Sequence, residues 1–473
     1  MKKTLLLLSL SALALLTACE KFLDEKPSDF LTTTNFYQNE GDAVAGLNGA
    51  FSTLQAQAHY GRTVWLVGEL PGEAVAVVGA TTGDRAELSR FAYGAGNGEI
   101  FNWWVNSYRL VARANDVLDK VPPIAMDEGR KNNLLGNARF LRALAYFDLV
   151  RGFGDVPLLL APVTGPNDDL RPRRAPLAQV YEQIITDLKF AEANCPRENL
   201  IAATAKGRVS TGAAAGLLAK VYLTRAGTAA AQAADNQSAL DACTRVIASG
   251  VYSLAPVYGN VFLPDVENNA EHLFSVQFDL PPNVGNIVVR QYLPAQLGGF
   301  ASFTAEDAFV QSYRPGDVRR AWNVSNVAGT ATLPQFYFNK FRDDKRIGND
   351  SRTNWLVLRY ADVLLLQSEA LNNLNAADPI KYQGINLVRA RAGLPPLPLT
   401  PTTKDAFVDL LVQERSWELV QEGHRRNDLL RLGRLKQVQQ TVRGRAIDDR
   451  YLLFPIPQSE LLLNPNLVQN TGF

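Results

Sequence analysis

The stretch LLGNARFLRALAYFDL, residues 134–149, returns its apolar side chains at helical spacing, so that Leu134, Ala138, Leu141 and Ala145 share one face. Upstream, Trp104, Tyr108, Val111, Asn115 and Leu118 recur in the same way. Pro122-Pro123 separates the two runs, which therefore read as antiparallel helices joined by a short turn. Working outward, the periodicity predicts helices over about 176–194, 207–225 and 236–249, the last closed by Gly250, where a left-handed cap is easy. These read as helix pairs stacked in solenoid fashion. Ala213 to Leu223 has the small-residue and aromatic spacing of tetratricopeptide units, although no repeat in the sequence is strong enough to prove them. Asn39 can cap an earlier helix with Val44, Leu47, Phe51 and Leu54 on its buried face. Further helices are expected over 358–374, 380–392 and 404–435, before a Pro- and Asn-punctuated tail that runs from Phe454 to Phe473.

Two stretches break the pattern. Trp65 to Glu99 is Gly, Thr and Glu with isolated aromatics, including Gly79–Asp84 and Gly94–Gly98, and reads as loop. Residues 256–345 are rich in Pro, Asn, Gly and aromatics, with an alternating, β-like run over Leu273–Phe278, and read as an irregular lobe inserted among the helices.

The N-terminus reports export. Lys2 and Lys3 precede an apolar run from Leu5 to Leu16, too short to span a bilayer stably, and Leu16-Thr17-Ala18-Cys19 has the lipoprotein cleavage pattern. The expectation is a signal peptide over 1–18, acylation of Cys19 and a tether over 19–38; several acyl chains make such attachment effectively permanent. A formal net charge of +1 supplies no field for nucleic acid. Cys195 and Cys243 sit on apolar helical stripes and read as small core residues, with a bridge between them left open.

Glu414, Glu418 and Glu422 stand four apart and line one helical face. Arg415, Arg425, Arg426 and Arg431 surround them in sequence, and cations hold carboxylates ionised where a general acid must keep its proton. A structural ion-pair network is therefore expected; a helical glycosidase acting through Glu418 is the enzymatic alternative. His59, His272 and His424 lack metal-ligand spacing, and Asp343-Asp344 with Asn349-Asp350 lacks the calcium-loop pattern and reads as solvated. Gly94, Gly96 and Gly98 miss the dinucleotide fingerprint. Neither metal nor cofactor is expected. What remains is aromatic content in the two irregular stretches, read as exposed: Trp65, Phe91 and Tyr93, then Tyr292, Phe300 and Trp322. Such rings can cover the C–H face of a sugar, with Arg85 and Asn97 among the groups available for its hydroxyls; ordinary packing is the competing reading for each ring.

Several pieces then stand in a fixed order. They are Cys19-Glu20-Lys21-Phe22-Leu23-Asp24 with Pro27; Trp104, Tyr108 and Asn115; Phe153-Gly154-Asp155-Val156-Pro157; Leu218–Leu223 leading to Ser249–Leu254; Arg359-Tyr360-Ala361-Asp362-Val363 through Glu369-Ala370; Glu414-Arg415 through Arg431; and Phe454-Pro455-Ile456-Pro457-Gln458 through Gln469-Asn470. Together they resemble the SusD/RagB family of nutrient-binding outer-membrane lipoproteins of Bacteroidota over nearly the full length. Ser416-Trp417 departs from the pattern, where the family more often has a second arginine. The resemblance implies a mainly all-α fold of four tetratricopeptide-like helix pairs in a right-handed superhelical scaffold, with a loop-rich lobe carrying short β segments. It implies one SusD-like domain over 39–473: an N-terminal part to about 255, the lobe over about 256–350, and C-terminal helices and tail from about 351. It also implies a non-catalytic receptor, mostly for glycans and in some members for oligopeptides. Such a receptor closes as a lid over a SusC-like TonB-dependent β-barrel transporter on the outer face of the outer membrane. The family's binding residues are poorly fixed in position, so the resemblance places the ligand only in the two loop regions.

Overall fold

The computed structural model describes residues 36–79, 83–163, 165, 170–400 and 402–473. The signal peptide, Cys19, nearly all of the tether and the middle of the Gly79–Asp84 loop lie outside the described residues.

Helix α1 (Glu40–Ser52) starts as its sequence dictates. Asn39 accepts from the Asp42 amide, and the Asp42 carboxylate accepts from the Asn39 amide at 3.0 Å, a reciprocal cap. Its buried face is rotated from the expected one. Ala43, Leu47 and Ala50 face inward and continue to Leu54, whereas Val44 and Phe51 are half-buried, because the small residues let α1 lie close on the helices that follow. Those are α2 (Gly98–Lys120), α3 (Glu128–Phe153), α4 (Leu177–Asn194), α5 (Thr211–Ala226) and α6 (Asp235–Ala248). Each packs on the next, and α6 packs on α7 (Tyr360–Leu374), which in turn carries α8 (Tyr382–Arg391) and α9 (Lys404–Leu419). This is the expected tetratricopeptide-like stack. Its spacing is close: a Cβ on Gly384 of α8 would strike the Leu364 carbonyl of α7. The motif residues of α2 tie it to the next connection, with Tyr108 donating to the Pro157 carbonyl at 2.8 Å and Asn115 to that of Leu159 at 3.0 Å.

The expected helix over 404–435 is interrupted. After α9 the chain turns through Gln421 (φ 69°) and Gly423 (φ 77°) before α10 (Arg425–Arg431), so Glu422 is not on the helix that bears Glu414 and Glu418. A second short helix, Thr63–Glu69, crosses this turn so closely that a Cβ on Gly68 would strike the Gly423 backbone, and the Glu69 carboxylate accepts from the Gly423 amide at 2.7 Å.

Among the described residues the strands are short: β1 (Val75–Val77), β2 (His272–Val276), β3 (Phe303–Ala305), β4 (Val324–Ala328), β5 (Ala331–Phe338) and β6 (Trp355–Arg359). They pair antiparallel as β1 with β3, β2 with β6 and β4 with β5. The stretch 65–99, expected as loop, thus holds the Thr63–Glu69 helix, β1 and the helix Asp84–Arg90, and β1 is the strand that receives β3 of the irregular lobe. Most buried apolar side chains from Ala43 to Leu467 form one large core, and a second, smaller cluster (Leu364, Leu365, Tyr382, Ile385, Phe407 and Leu411 among others) packs between α7, α8 and α9. Cys195 and Cys243 are buried and free, and burial pushes the Cys195 thiol up to about 12. Asp343, expected in solvent, is buried because Arg352 holds it through Nη2 at 2.7 Å and through its own amide at 2.7 Å; Asp344 is exposed.

Candidate functional site

The glutamates of the C-terminal region form an ion-pair network closed to solvent. Arg359, at the end of β6, donates to both oxygens of Glu422 at 2.7 and 2.9 Å, to Glu418 at 2.6 Å and to Glu271 at 2.8 Å. Arg319 joins Glu414 and Glu418 at 2.7 and 3.0 Å and is itself gripped by Asp317. Lys340 reaches Glu422 at 2.6 Å, and Arg389 reaches Glu414 at 3.0 Å. The arginines expected to fill this role pair elsewhere: Arg415 with Asp362 and Asp428, Arg425 with Glu73, and Arg431 with Glu369. Arg426 donates to the carbonyls of Tyr451 and Leu452, lies over the Phe454 ring and interacts with the Tyr93 hydroxyl. Burial opposes ionisation of Glu418, but Arg391, Arg359 and Arg319 outweigh it and hold the carboxyl well below its usual range; Arg359 and Lys340 do the same for Glu422. Glu414 alone is raised, by burial, and its side chain is 1% exposed.

The aromatic candidates divide sharply. Trp65 is wholly buried, Tyr93 is 2% and Tyr292 3% exposed, and Phe91 is buried beside them. The expectation of exposed rings is corrected at these four positions. Trp65 and Tyr292, one from each irregular stretch, do come together, with ring centroids 5.1 Å apart, but they meet inside the core against Phe303. Tyr93 donates to the Tyr451 carbonyl at 3.2 Å among Tyr451, Phe454 and Phe473. Rings of this size gain most by leaving water, which is why a glycine-rich neighbourhood did not keep them outside. Asn97 is the buried cap of α2, accepting from the Glu99 and Ile100 amides, and Arg85 pairs with Glu99 at 3.4 Å. Both have structural work. Trp322 is half-buried, its indole donating to the Lys340 carbonyl at 3.0 Å under the Arg342 guanidinium.

Phe300 differs: it is 44% exposed. The turn that presents it is built from Pro294, Gly298 (φ 71°) and Gly299. The Phe300 amide donates to the Arg290 carbonyl at 2.9 Å, and the Ala301 amide to that of Leu293 at 3.0 Å. Arg290 lies 4.5 Å from the ring centroid, braced by its Nε bond to the Gly298 carbonyl at 2.9 Å and by Nη1 on the Asn349 amide oxygen. Arg346 holds the other side of the turn through the Leu297 carbonyl at 2.6 Å. The result is an apolar ring standing in solvent beside fixed donors, an arrangement suited to a flat, hydroxylated ligand. Arg290, Arg346 and Asn349 were not singled out from sequence; the Gly298-Gly299 pair beside Phe300 is the only local signal for them.

Among the described residues no cluster could hold a metal ion, and no helix is long and apolar enough to cross a membrane. Two family models match the chain, one for the SusD family over residues 311–473 and one described as "Starch-binding associating with outer membrane" over residues 21–223. The chain is 26% identical to SusD-like protein P2 of Formosa agariphila, with 95% of each chain covered. It is similar in structure to a SusD homolog from Bacteroides thetaiotaomicron, with 25% identity, a TM-score of 0.83 and coverage of 93% of this chain and 98% of that one. It is also similar to a laminarin-binding SusD-like protein, with 26% identity, a TM-score of 0.78 and coverage of 92% and 100%.

Proposed function

Because this chain belongs to the SusD family, we propose that it is a non-catalytic receptor that captures a glycan on its irregular lobe and passes it unaltered to a transporter. The observation that carries this reading is the Phe300 ring, exposed and flanked by Arg290 and Asn349 on a turn that the backbone holds rigid. The ring covers the apolar face of a sugar while guanidinium and amide groups meet its hydroxyls. The laminarin-binding neighbour and the starch-binding family description favour a glycan over a peptide. The enclosed carboxylates favour binding without turnover.

The same reading takes Leu16-Thr17-Ala18-Cys19 as the site of lipid attachment and the outer membrane, facing outward, as the location. A SusC-like TonB-dependent β-barrel, over which the receptor closes as a lid, is the partner. Titration calorimetry of the mature chain against a panel of oligosaccharides tests the central claim. At least one is expected to bind, with Phe300→Ala and Arg290→Ala weakening it. Silence across the panel, with peptides co-purifying on the native protein, would replace the glycan by an oligopeptide. Labelled palmitate is expected to be incorporated and to be lost in Cys19→Ala.

A further inference from the structure

A cleft of about 280 Å³ with mixed polar and apolar walls opens between α1, the 204–208 loop and the end of β2, lined by Asn48, Phe51, Gln55, Lys206, Arg208 and Gln277 among others. None of these residues belongs to the Phe300 platform. Small-ligand pockets begin at about 300 Å³, so this one has room for a single sugar-sized unit.

Its walls are fixed before any ligand arrives. The Gln277 side-chain oxygen accepts from Asn268 at 2.9 Å and from Asn354 at 3.0 Å, and the Gln277 carbonyl accepts from the Gln55 amide at 2.8 Å. Gly207, at φ 90°, lets the loop lie directly on the Gln277 side chain, where a Cβ would collide.

Arg208 is the unusual member. Its guanidinium lies 4.8 Å over the Phe51 ring, Nη2 donates to the Asn48 side-chain oxygen, and Nη1 is buried without a hydrogen-bond partner among the described residues. No carboxylate among them pairs with it; burial alone draws its pKa down. The other cation of the cleft, Lys206, is already taken by Glu198 at 2.7 Å. A half-buried cation with one enclosed, unused donor and no carboxylate partner among the described residues favours an anionic oxygen ligand, and a planar guanidinium matches a carboxylate best.

We propose that this cleft is a second binding site, which takes a carboxylate-bearing solute of monosaccharide size. Arg208 meets the carboxylate, and the side chains of Asn48, Gln55 and Gln277 line the space for its remaining polar groups. The site is independent of the lobe platform.

Calorimetry and co-crystallisation of the mature chain with D-glucuronate, with D-glucose, with Ala-Ala and with its C-terminal amide test this. D-Glucuronate is expected to bind in the cleft, about tenfold or more tighter than D-glucose, because one charged hydrogen-bonded contact is lost in the neutral sugar. Arg208→Gln is expected to remove that preference and Phe300→Ala to leave it intact, which separates failure here from failure at the lobe. Binding of Ala-Ala but not of its amide supports carboxylate recognition and, if D-glucuronate is silent, assigns the source to a peptide terminus. Equal binding of D-glucose and D-glucuronate, silence of both carboxylates, or density away from Arg208 would overturn the proposal. The wild-type comparisons decide even if Arg208→Gln fails to fold.

Discussion

The guanidinium of Arg359 grips Glu422 through parallel hydrogen bonds, Nε to Oε2 at 2.7 Å and Nη2 to Oε1 at 2.9 Å, where neither side chain touches solvent. The bond joins β6 to the turn between α9 and α10, so it fixes the short sheet against the C-terminal helices. Lys340, also buried, depends on the same carboxylate. Glu422→Gln keeps the shape and removes the charge, leaving two buried cations undercompensated. Breaking one partner of such a pair costs roughly 3–5 kcal/mol. Urea unfolding should show a midpoint lowered accordingly, and an unchanged midpoint would refute the structural role of the network.

His272 is built to stay neutral. Its Nε2 lies 2.8 Å from the Val261 carbonyl, which makes that nitrogen the donor, and its Nδ1 accepts from the Asn268 amide at 3.0 Å. A second proton would set two donors against each other. Burial draws its pKa down to about 4, and does the same for His59. A base whose folded pKa is depressed contributes stability above its unfolded value, near 6.5, and that stability is lost as pH falls toward 4. The loss is on the order of 3 kcal/mol for each such histidine. Glu267 acts in the opposite sense: burial raises it to about 8, so its contribution is present at low pH and lost as pH climbs through neutrality. Imidazole NMR should find His272 neutral down to about pH 4, and titration near 6.5 would contradict the geometry.

How much of this was legible in the sequence depends on whether the signal was local. Helices α2 to α6 repeat an apolar face every turn, and Asn39 with Asp42 is a local cap; both could be read directly. The break after α9 could not, because one of its left-handed residues is Gln421, held there by contacts with a distant helix. The partners of Glu418 come from Arg319, Arg359 and Arg391, far along the chain, whereas sequence offered only its neighbours. Phe300 could be singled out because an aromatic in a stretch without helical periodicity is a local feature, but the same feature marked Trp65, Phe91, Tyr93 and Tyr292, which are buried. Arg290 and Asn349 were missed because a turn and a pairing across 59 residues bring them to it.

Trp65 and Phe300 should separate stability from recognition. Trp65 fills the core between Tyr292 and Phe303, and replacing a buried ring of this kind by alanine costs about 3–5 kcal/mol. Trp65→Ala should therefore unfold at much lower denaturant while any remaining folded protein still binds. Phe300→Ala removes a ring that is 44% exposed and should leave the unfolding midpoint nearly unchanged while abolishing most glycan affinity. Loss of stability in Phe300→Ala equal to that in Trp65→Ala would assign the ring to packing.

Gly299 tests whether the platform works through its shape. No Cβ fits there, because it would sit on the Leu293 carbonyl, the same carbonyl that receives the Ala301 amide at 3.0 Å. Alanine must push the turn outward, away from that bond and away from the neighbouring Phe300–Arg290 backbone bond at 2.9 Å. The displaced turn is at the surface, so the cost to folding should be small, within about 1–3 kcal/mol for overpacking. The ring, however, moves relative to Arg290 and Asn349, and geometry off by about 1 Å is enough to weaken a site assembled from several groups. Gly299→Ala is thus expected to lower glycan affinity about tenfold with every contacting side chain still present. Wild-type affinity in this variant would show that Phe300 binds alone, without the donors beside it.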